Sequence, residues 1–543
     1  MAQPTITRRN AMRLVLALGA GALTSCGVRT KAEDPHTVHL ATDGDFATMD
    51  VAETSNFYMV PINVFDRLFE TRRIDGEATV VNSLCESHTM ADDARHFDFV
   101  LRDGVVFSNG DPLTSADVKY TFERLLKKAR ENTDIPLEVE GGQDVLDGKA
   151  DSLAGFHITD DTHFSIALAE PNVGFVAELS SPAVSIVDAK SVEQVAYFGH
   201  EPADTIGSGP YVIEEWVTGD HYTLVYNERY WGEPPSVRKA IVHIVPDAST
   251  QNLMFKNNEL DIINLGTLNS AIVQNDYKPN YADHIVTAPT ASIRYFALNE
   301  NNRYLKDLRV RQAIAHAIDV ESIIAHIYYG DATPEHGIIP AGVWGANPNL
   351  KGYDYDPDAA RALLCEAGYS AGEVAFDLAM VADDGKPRLM CEAIQSDLAK
   401  VGITIRIKPY DSAAFVQKRM ASELDSFVTV WLLDYNDPAN IMALFFGSPQ
   451  RTAQRSMNYP NTEVMKRVAA ASSIIDDNER KAEYQYLEKK IAIDDCAWVP
   501  LLEEKRVYCT SDRVANFVPH WAGYGDFYVS DITLAEQATT EGK

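Results

Sequence analysis

The chain has 543 residues, with 48 Lys plus Arg against 79 Asp plus Glu, a net charge of −31. That surplus excludes a nucleic-acid binder, which needs clustered bases to neutralise phosphates, and a protein held on anionic lipid by a basic patch. A hydrophobic fraction of 45% with 23% charged residues suits a folded globular chain, and the length points to three or four domains at about 150 residues each.

The acid surplus is absent from the first segment. Residues 1–31 carry Arg8, Arg9, Arg13, Arg29 and Lys31 and no acidic residue. The apolar run Leu14–Leu23 is too short for a spanning helix, which needs about 20 apolar residues, and has the form of a signal-peptide core. Thr7-Arg8-Arg9-Asn10-Ala11-Met12 resembles a twin-arginine export motif. Leu23-Thr24-Ser25-Cys26 resembles a bacterial lipobox. The expectation is a signal peptide over 1–25, lipid on Cys26 and a short tether over 26–35. The mature protein would then lie on the extracytoplasmic face of the cell membrane, on the periplasmic side where an outer membrane exists.

The body reads as alternating strands and helices. Thr37–Ala41 alternates as a strand, and Pro61–Glu70 has apolar residues at helical spacing. His96–Arg102 alternates at period two, Gly104 turns the chain, and Thr114 with Asp117 opens a helix whose buried face is Val118, Phe122 and Leu125. The acidic stretch 130–155 reads as a surface loop. Ile158–Leu168 reads as a strand, Ile206–Gly209 as a hinge-like turn, and Tyr211–Trp216 with Tyr222–Tyr226 as a hairpin. Farther on, Arg294–Asn299 is a strand. Asp307, Asp319 and Asp356 each cap a helix, the last with Pro357 at its first position and Gly368 at its end. Met390–Lys400 is a helix and Ile403–Ile407 a strand. This alternation predicts an α/β fold with mixed sheets.

A search for catalytic patterns finds little. There is no HExxH, no GxSxG and no P-loop spacing, and Asp43-Gly44-Asp45 lacks the later ligands of a calcium loop. His36 and His39 read as a surface pair rather than a metal site. Of the six cysteines none forms a CxxC pair. Cys496 and Cys509 flank a strand–turn–strand stretch, where a bridge or two buried thiols are both open. No enzyme activity and no cofactor are expected.

Several ordered blocks carry a resemblance. They are Phe97–Phe107 followed by Asn109-Gly110-Asp111-Pro112-Leu113-Thr114, and Gly207-Ser208-Gly209-Pro210-Tyr211. Leu308–Ile314 with Ala317-Ile318-Asp319, Tyr355–Ala360 with Ala367-Gly368-Tyr369, and Trp431–Pro438 follow. Together they resemble the extracellular solute-binding proteins of family 5, the oligopeptide- and dipeptide-binding proteins of ABC importers. The resemblance implies a periplasmic-binding-protein-like α/β fold, with two lobes closing on a hinge and an extra inserted domain. Domain I would comprise 36–75, 200–290 and 511–543, domain II the insertion 76–199, and domain III 291–510. The implied partners are an oligopeptide or dipeptide, an ABC permease with its ATPase subunits, and the membrane through Cys26. The protein would be a monomer. Family members also bind haem, nickel chelates or sugars, and a peptide-sensing role is the other alternative.

The resemblance also implies a site. A buried peptide needs partners for its ammonium, its backbone and its carboxylate, since each unpaired buried polar group costs about 1–3 kcal/mol. Asp434 aligns with the residue that takes the ammonium. Trp431, Leu432 and Leu433 would offer backbone groups as to an added strand, with Trp431 also a flat apolar wall. The ligand would lie in the cleft between domains I and III, with Asp43 and Gly44 lining the facing wall in domain I. Two cationic positions of the family align with Val381 and Val428, so the carboxylate would fall to Lys386 or Arg388.

Overall fold

Strand pairing divides the chain into sheets, in a computed structural model that describes residues 34–54, 58–128, 132–382, 385–522 and 527–535. The leader, the paired arginines and Cys26 lie outside the described residues. Near the start, Thr37–Thr42 pairs in parallel with Lys239–Ile244, which continues antiparallel through His221–Tyr226 to Tyr211–Val217. A second sheet is wholly antiparallel: Cys85–Met90, His96–Leu101, His163–Ala167 and Phe156–Ile158. A three-stranded sheet joins Ile262–Asn264, Arg506–Thr510 and Ile285–Ala288. The largest sheet runs Ala332–Pro334, Trp498–Glu504, Ser292–Leu298, Ser426–Leu432, Ala375–Val381, Thr404–Tyr410 and mixes both directions. The fold is mixed α/β.

The six-stranded sheet is buried on both faces. All seven residues of Ser292–Leu298 are buried. Ile293, Tyr295 and Ala297 enter a core built around Trp498, Phe445 and Phe446. Phe296 and Leu298, of opposite parity, enter a core with Val310, Ile314, Leu378 and Leu398. Period two thus feeds two cores, and the strand reads as a continuous apolar run.

The chain crosses between the three-stranded and six-stranded sheets twice. Ile285–Ala288 leads into Ser292–Leu298, and Trp498–Glu504 returns into Arg506–Thr510. At the crossing Thr290 donates its N–H to the Glu503 carboxylate at 2.6 Å and its hydroxyl to the Glu504 carbonyl at 3.0 Å. Arg294 pairs with Glu504 beside it. The strand Arg506–Thr510 therefore pairs with 262–264 and 285–288, across the expected boundary at 510/511. Likewise Phe69–Ile74 pairs with Glu77–Asn82 across the expected boundary at 75/76.

Most of the capped elements stand where expected. Asp307, Asp319 and Asp356 accept backbone N–H bonds at the starts of Leu308–Ala317, Val320–His326 and Pro357–Glu366. Asp117 accepts the Thr114 N–H at 2.9 Å, while the Thr114 hydroxyl turns to Asp117 and does not cap.

Five expectations change. Pro61–Glu70 is helical only over Pro61–Val64, and Phe69 already begins a strand. The acidic stretch 130–155 is no simple loop: it forms the short helices Asp134–Leu137 and Gly142–Leu146 and buries Ile135, Val139, Val145 and Leu153. Ile158–Leu168 is not one strand: Ile158 ends the strand Phe156–Ile158, and a turn leads into its antiparallel partner His163–Ala167. His36 and His39 are not a pair, since His39 is buried and stacks on His243 at 5.6 Å, while His36 meets the Ser236 carbonyl. Finally, Cys85, Cys365, Cys391, Cys496 and Cys509 are all free thiols, four of them buried. The strands near Cys496 and Cys509 are one extended run through two sheets rather than a hairpin. At about 3.3 Å per residue its ends cannot reach the roughly 6 Å spacing of a disulfide.

Candidate ligand-binding site

The block Trp431–Pro438 leaves the end of the central strand Ser426–Leu432. That strand pairs with Ser292–Leu298 along its whole length. On its other side Ala375–Val381 pairs with it only at Ser426 and Phe427. Among the described residues, 428–432 therefore have no strand partner on that side, which leaves room for an added strand. Leu433 is not part of that offer. Its side chain is fully buried and its N–H donates to the Ala291 carbonyl at 2.8 Å.

The turn after the strand is held by residues other than Asp434. Asn436 accepts from the Trp344 N–H at 2.9 Å and donates to the Ala78 carbonyl at 2.7 Å. Asp437 accepts from the Ala439 N–H at 2.8 Å, opening the helix Ala439–Phe446, and pairs with buried Arg480 at 2.7 Å. Asp434 is released for another task. Its one side-chain partner is Asn440, whose Oδ1 accepts the Trp431 indole N–H at 3.0 Å. One amide thus orients both side chains.

Trp431 and Asp434 face a cavity of about 680 Å³, within the range of small-molecule sites. Burial raises the Asp434 carboxyl to about 6, against the hydrogen bond from Asn440, and no cation offsets it. The far wall comes from the antiparallel unit and carries Asp134, Glu138, Glu170 and Glu178. Arg451 is the one basic residue among the described lining residues, and it lies 3.7 Å from Asp134. The cavity is lined mainly by carboxyls, several of which burial pushes toward their neutral form until a cation arrives. Backbone contacts close it: the Val173 N–H donates to the Ser472 carbonyl at 2.8 Å.

A second cavity of about 230 Å³ lies beside the crossing strands. Leu432 lines it with Arg294, Lys386, Glu504 and Arg506. Trp431 and Leu432 are neighbours on a strand, so their side chains serve opposite faces of the sheet. Lys386 donates to the Gly266 carbonyl at 3.1 Å and lies over the Tyr328 ring at 5.5 Å. It opens the helix Lys386–Lys400, which begins before the expected Met390. Arg388 lies on the outside of that helix, pairs with Glu392 at 3.1 Å and lines neither cavity.

Asp43 and Gly44 follow the first strand. Asp43 is exposed, Gly44 accepts the Thr42 hydroxyl at 3.3 Å, and neither lines either cavity. Their neighbour Asp45 is occupied by the Trp216 indole at 3.0 Å and the Gly219 N–H at 2.8 Å. The expected residues thus divide: Trp431 and Asp434 share one cavity, Leu432 and Lys386 the other. Sequence reasoning missed Glu138, Glu178 and Asn172. For Glu138 the signal was the apolar Ile135, Leu137 and Val139 around it, inside a stretch read only for its charge; Asn172 and Glu178 carried no local signal. Among the described residues no three His, Cys, Asp or Glu side chains cluster as a metal site, and no helix is long and apolar enough to cross a membrane.

Comparison with known proteins follows this geometry. Residues 79–453 match the family described as bacterial extracellular solute-binding proteins, family 5 middle. Haem-binding protein A of Haemophilus influenzae is 26% identical over 500 residues, 89% of each chain. The probable D,D-dipeptide-binding periplasmic protein of Escherichia coli is 27% identical over 500 residues, 90% of each chain. Among solved structures, NikA from Brucella suis in complex with Fe(III)-EDTA superposes with a TM-score of 0.79 at 23% identity, covering 92% of this chain and all of that one.

Proposed function

Because this chain belongs to the bacterial extracellular solute-binding proteins of family 5, we propose that it binds peptides and delivers them to an ABC permease. The single observation that carries the peptide reading is Asp434. It is a half-buried carboxylate with no cationic partner among the described residues, beside Trp431, at the end of a strand with an open side. A peptide's ammonium would pair with Asp434, its backbone would add to residues 428–432, and its carboxylate would reach toward Lys386. The protein works by binding alone, as a transport component. It is held by lipid on Cys26 at the extracytoplasmic face. The haem- and dipeptide-binding relatives make ligand class the point to test.

Native mass spectrometry of the purified protein decides it. A co-purified mixture spaced by amino-acid residue masses is expected, and a single haem or metal-chelate mass would sink the peptide reading. Replacing Cys26→Ser should move the protein from the membrane to the soluble fraction. Retention in the membrane would overturn the lipid anchor.

A further inference from the structure

The cavity that Asp434 lines also holds two carboxyls that the peptide reading leaves unused. Glu138 follows the helix Asp134–Leu137, and Glu178 ends the helix Phe175–Glu178. Between them stands Asn172. Its amide nitrogen donates to Glu138 at 2.8 Å and to Glu178 at 2.9 Å. Its Oδ1 accepts the Gly174 N–H at 2.9 Å, which fixes the amide so that both hydrogens face the carboxyls.

Two hydrogens cannot satisfy four oxygens. Glu178 is only 2% exposed and lines the cavity, and its Oε2 finds no donor among the described residues. Of the nearby bases, Arg451 lies against Asp134, Arg480 pairs with Asp437, and Arg455 lies over the Trp431 ring at 4.7 Å. A buried ionised carboxylate without a donor is costly, as are two such groups side by side. Burial raises both carboxyls above their ordinary range, and the charge of Glu138 together with a hydrogen bond between the two raises Glu178 further, so in the empty site the pair holds a proton between them.

We propose that the cavity takes a ligand with two positive charges, one at Asp434 and the second between Glu138 and Glu178. This rests on the reading that a peptide ammonium sits at Asp434. The second charge is an ammonium or guanidinium on a flexible stem, as on a lysine, ornithine or arginine side chain near the amino end. A guanidinium can bond two carboxylates at once through its fork. The Tyr435 ring, which lines the same cavity, would pack along the stem, the Trp431 ring being already covered by the Arg455 guanidinium at 4.7 Å. A metal ion fits poorly, because the Asn172 N–H groups point at the same oxygens. The inserted unit would then select the side chain, while Asp434 selects the amine.

Calorimetry with Lys-Ala and Lys-Ala-Ala, each against its norleucine counterpart, tests this. Norleucine keeps the stem and lacks the ammonium. The lysine peptides should bind at least about tenfold tighter, a difference of roughly 1.4 kcal/mol. Glu138→Gln and Glu178→Gln should bring them to the norleucine level and leave the norleucine peptides unchanged. Equal affinity of both kinds for the wild-type protein overturns the second charge site and leaves the peptide reading standing. Absence of binding by every peptide overturns the peptide reading, and this proposal with it. Should both variants fail to fold, the wild-type comparison still decides.

Discussion

Asp434 is the residue on which the chemistry turns, because it is a carboxylate withdrawn from water and given only one amide. Its raised pKa, about 6, has a sign that can be worked out. The free protein binds a proton at Asp434 as pH falls through about 6, and an ammonium ligand needs the ionised form. Affinity should therefore be flat from about pH 6 to 7, where the amine remains protonated, fall about tenfold per unit below 6, and begin to fall again near 8 as the amine loses its proton. Asp434→Asn should cost about 3–5 kcal/mol of affinity for a free peptide, since the buried ammonium loses its counter-charge. It should also abolish the acid limb. Calorimetry between pH 4.5 and 8 checks both, and an unchanged acid limb in Asp434→Asn would assign the titration elsewhere. The same substitution should raise the stability of the unliganded protein at pH 7. A carboxyl whose folded pKa exceeds its unfolded one loses stability as pH rises from about 4 to 6.

Local elements follow local rules except where a backbone comes too close. The three aspartate caps were readable because each sits directly before its helix and bonds its own first turn. The turn Gly207-Ser208-Gly209 was readable as glycine-rich, but its reason was not. A Cβ on Gly207 would collide with the Val64 carbonyl, and one on Gly209 would lie 2.8 Å from it. The glycines thus permit close packing against the helix Pro61–Val64 rather than bending as a hinge. Gly207→Ala should lower the thermal midpoint by an overpacking cost of about 1–3 kcal/mol and leave ligand preference unchanged. A thermal midpoint equal to wild type would show that the two backbones can separate freely. Stretch 130–155 failed for the opposite reason. Its charge concealed short helices whose apolar residues are buried against the Ser115–Lys128 helix and its sheet, a contact that no local period reports.

At the scale of the molecule, two adjacent crossings join the lobes, and side chains bridge between units as well. Asn436 reaches the Ala78 carbonyl, and Lys386 reaches the Gly266 carbonyl. Lys386 thus leaves the six-stranded lobe and meets the segment beside the three-stranded sheet. If it also receives the ligand carboxylate, Lys386→Ala should weaken peptides with a free C-terminus and spare their C-terminal amides. Equal weakening of acid and amide would mean that Lys386 only helps the lobes approach. The pairings across 75/76 and 510/511 extend the strands of one unit past the limits read from the chain.

The sequence by itself determined the alternating α/β elements, their caps, the family and the place of Asp434 in its block. These depend on neighbours a few residues apart, or on blocks whose order survives without coordinates. Only the tertiary structure decided that Trp431 and Leu432 serve different cavities, that Leu433 is sealed in the core, and that Asp437 rather than Asp434 holds the turn. It alone set Glu138 and Glu178 in one cavity with Asp434. Those facts arise from segments far apart in the chain meeting across a cavity, where burial and unpaired charge are properties of the whole packing and not of any local pattern.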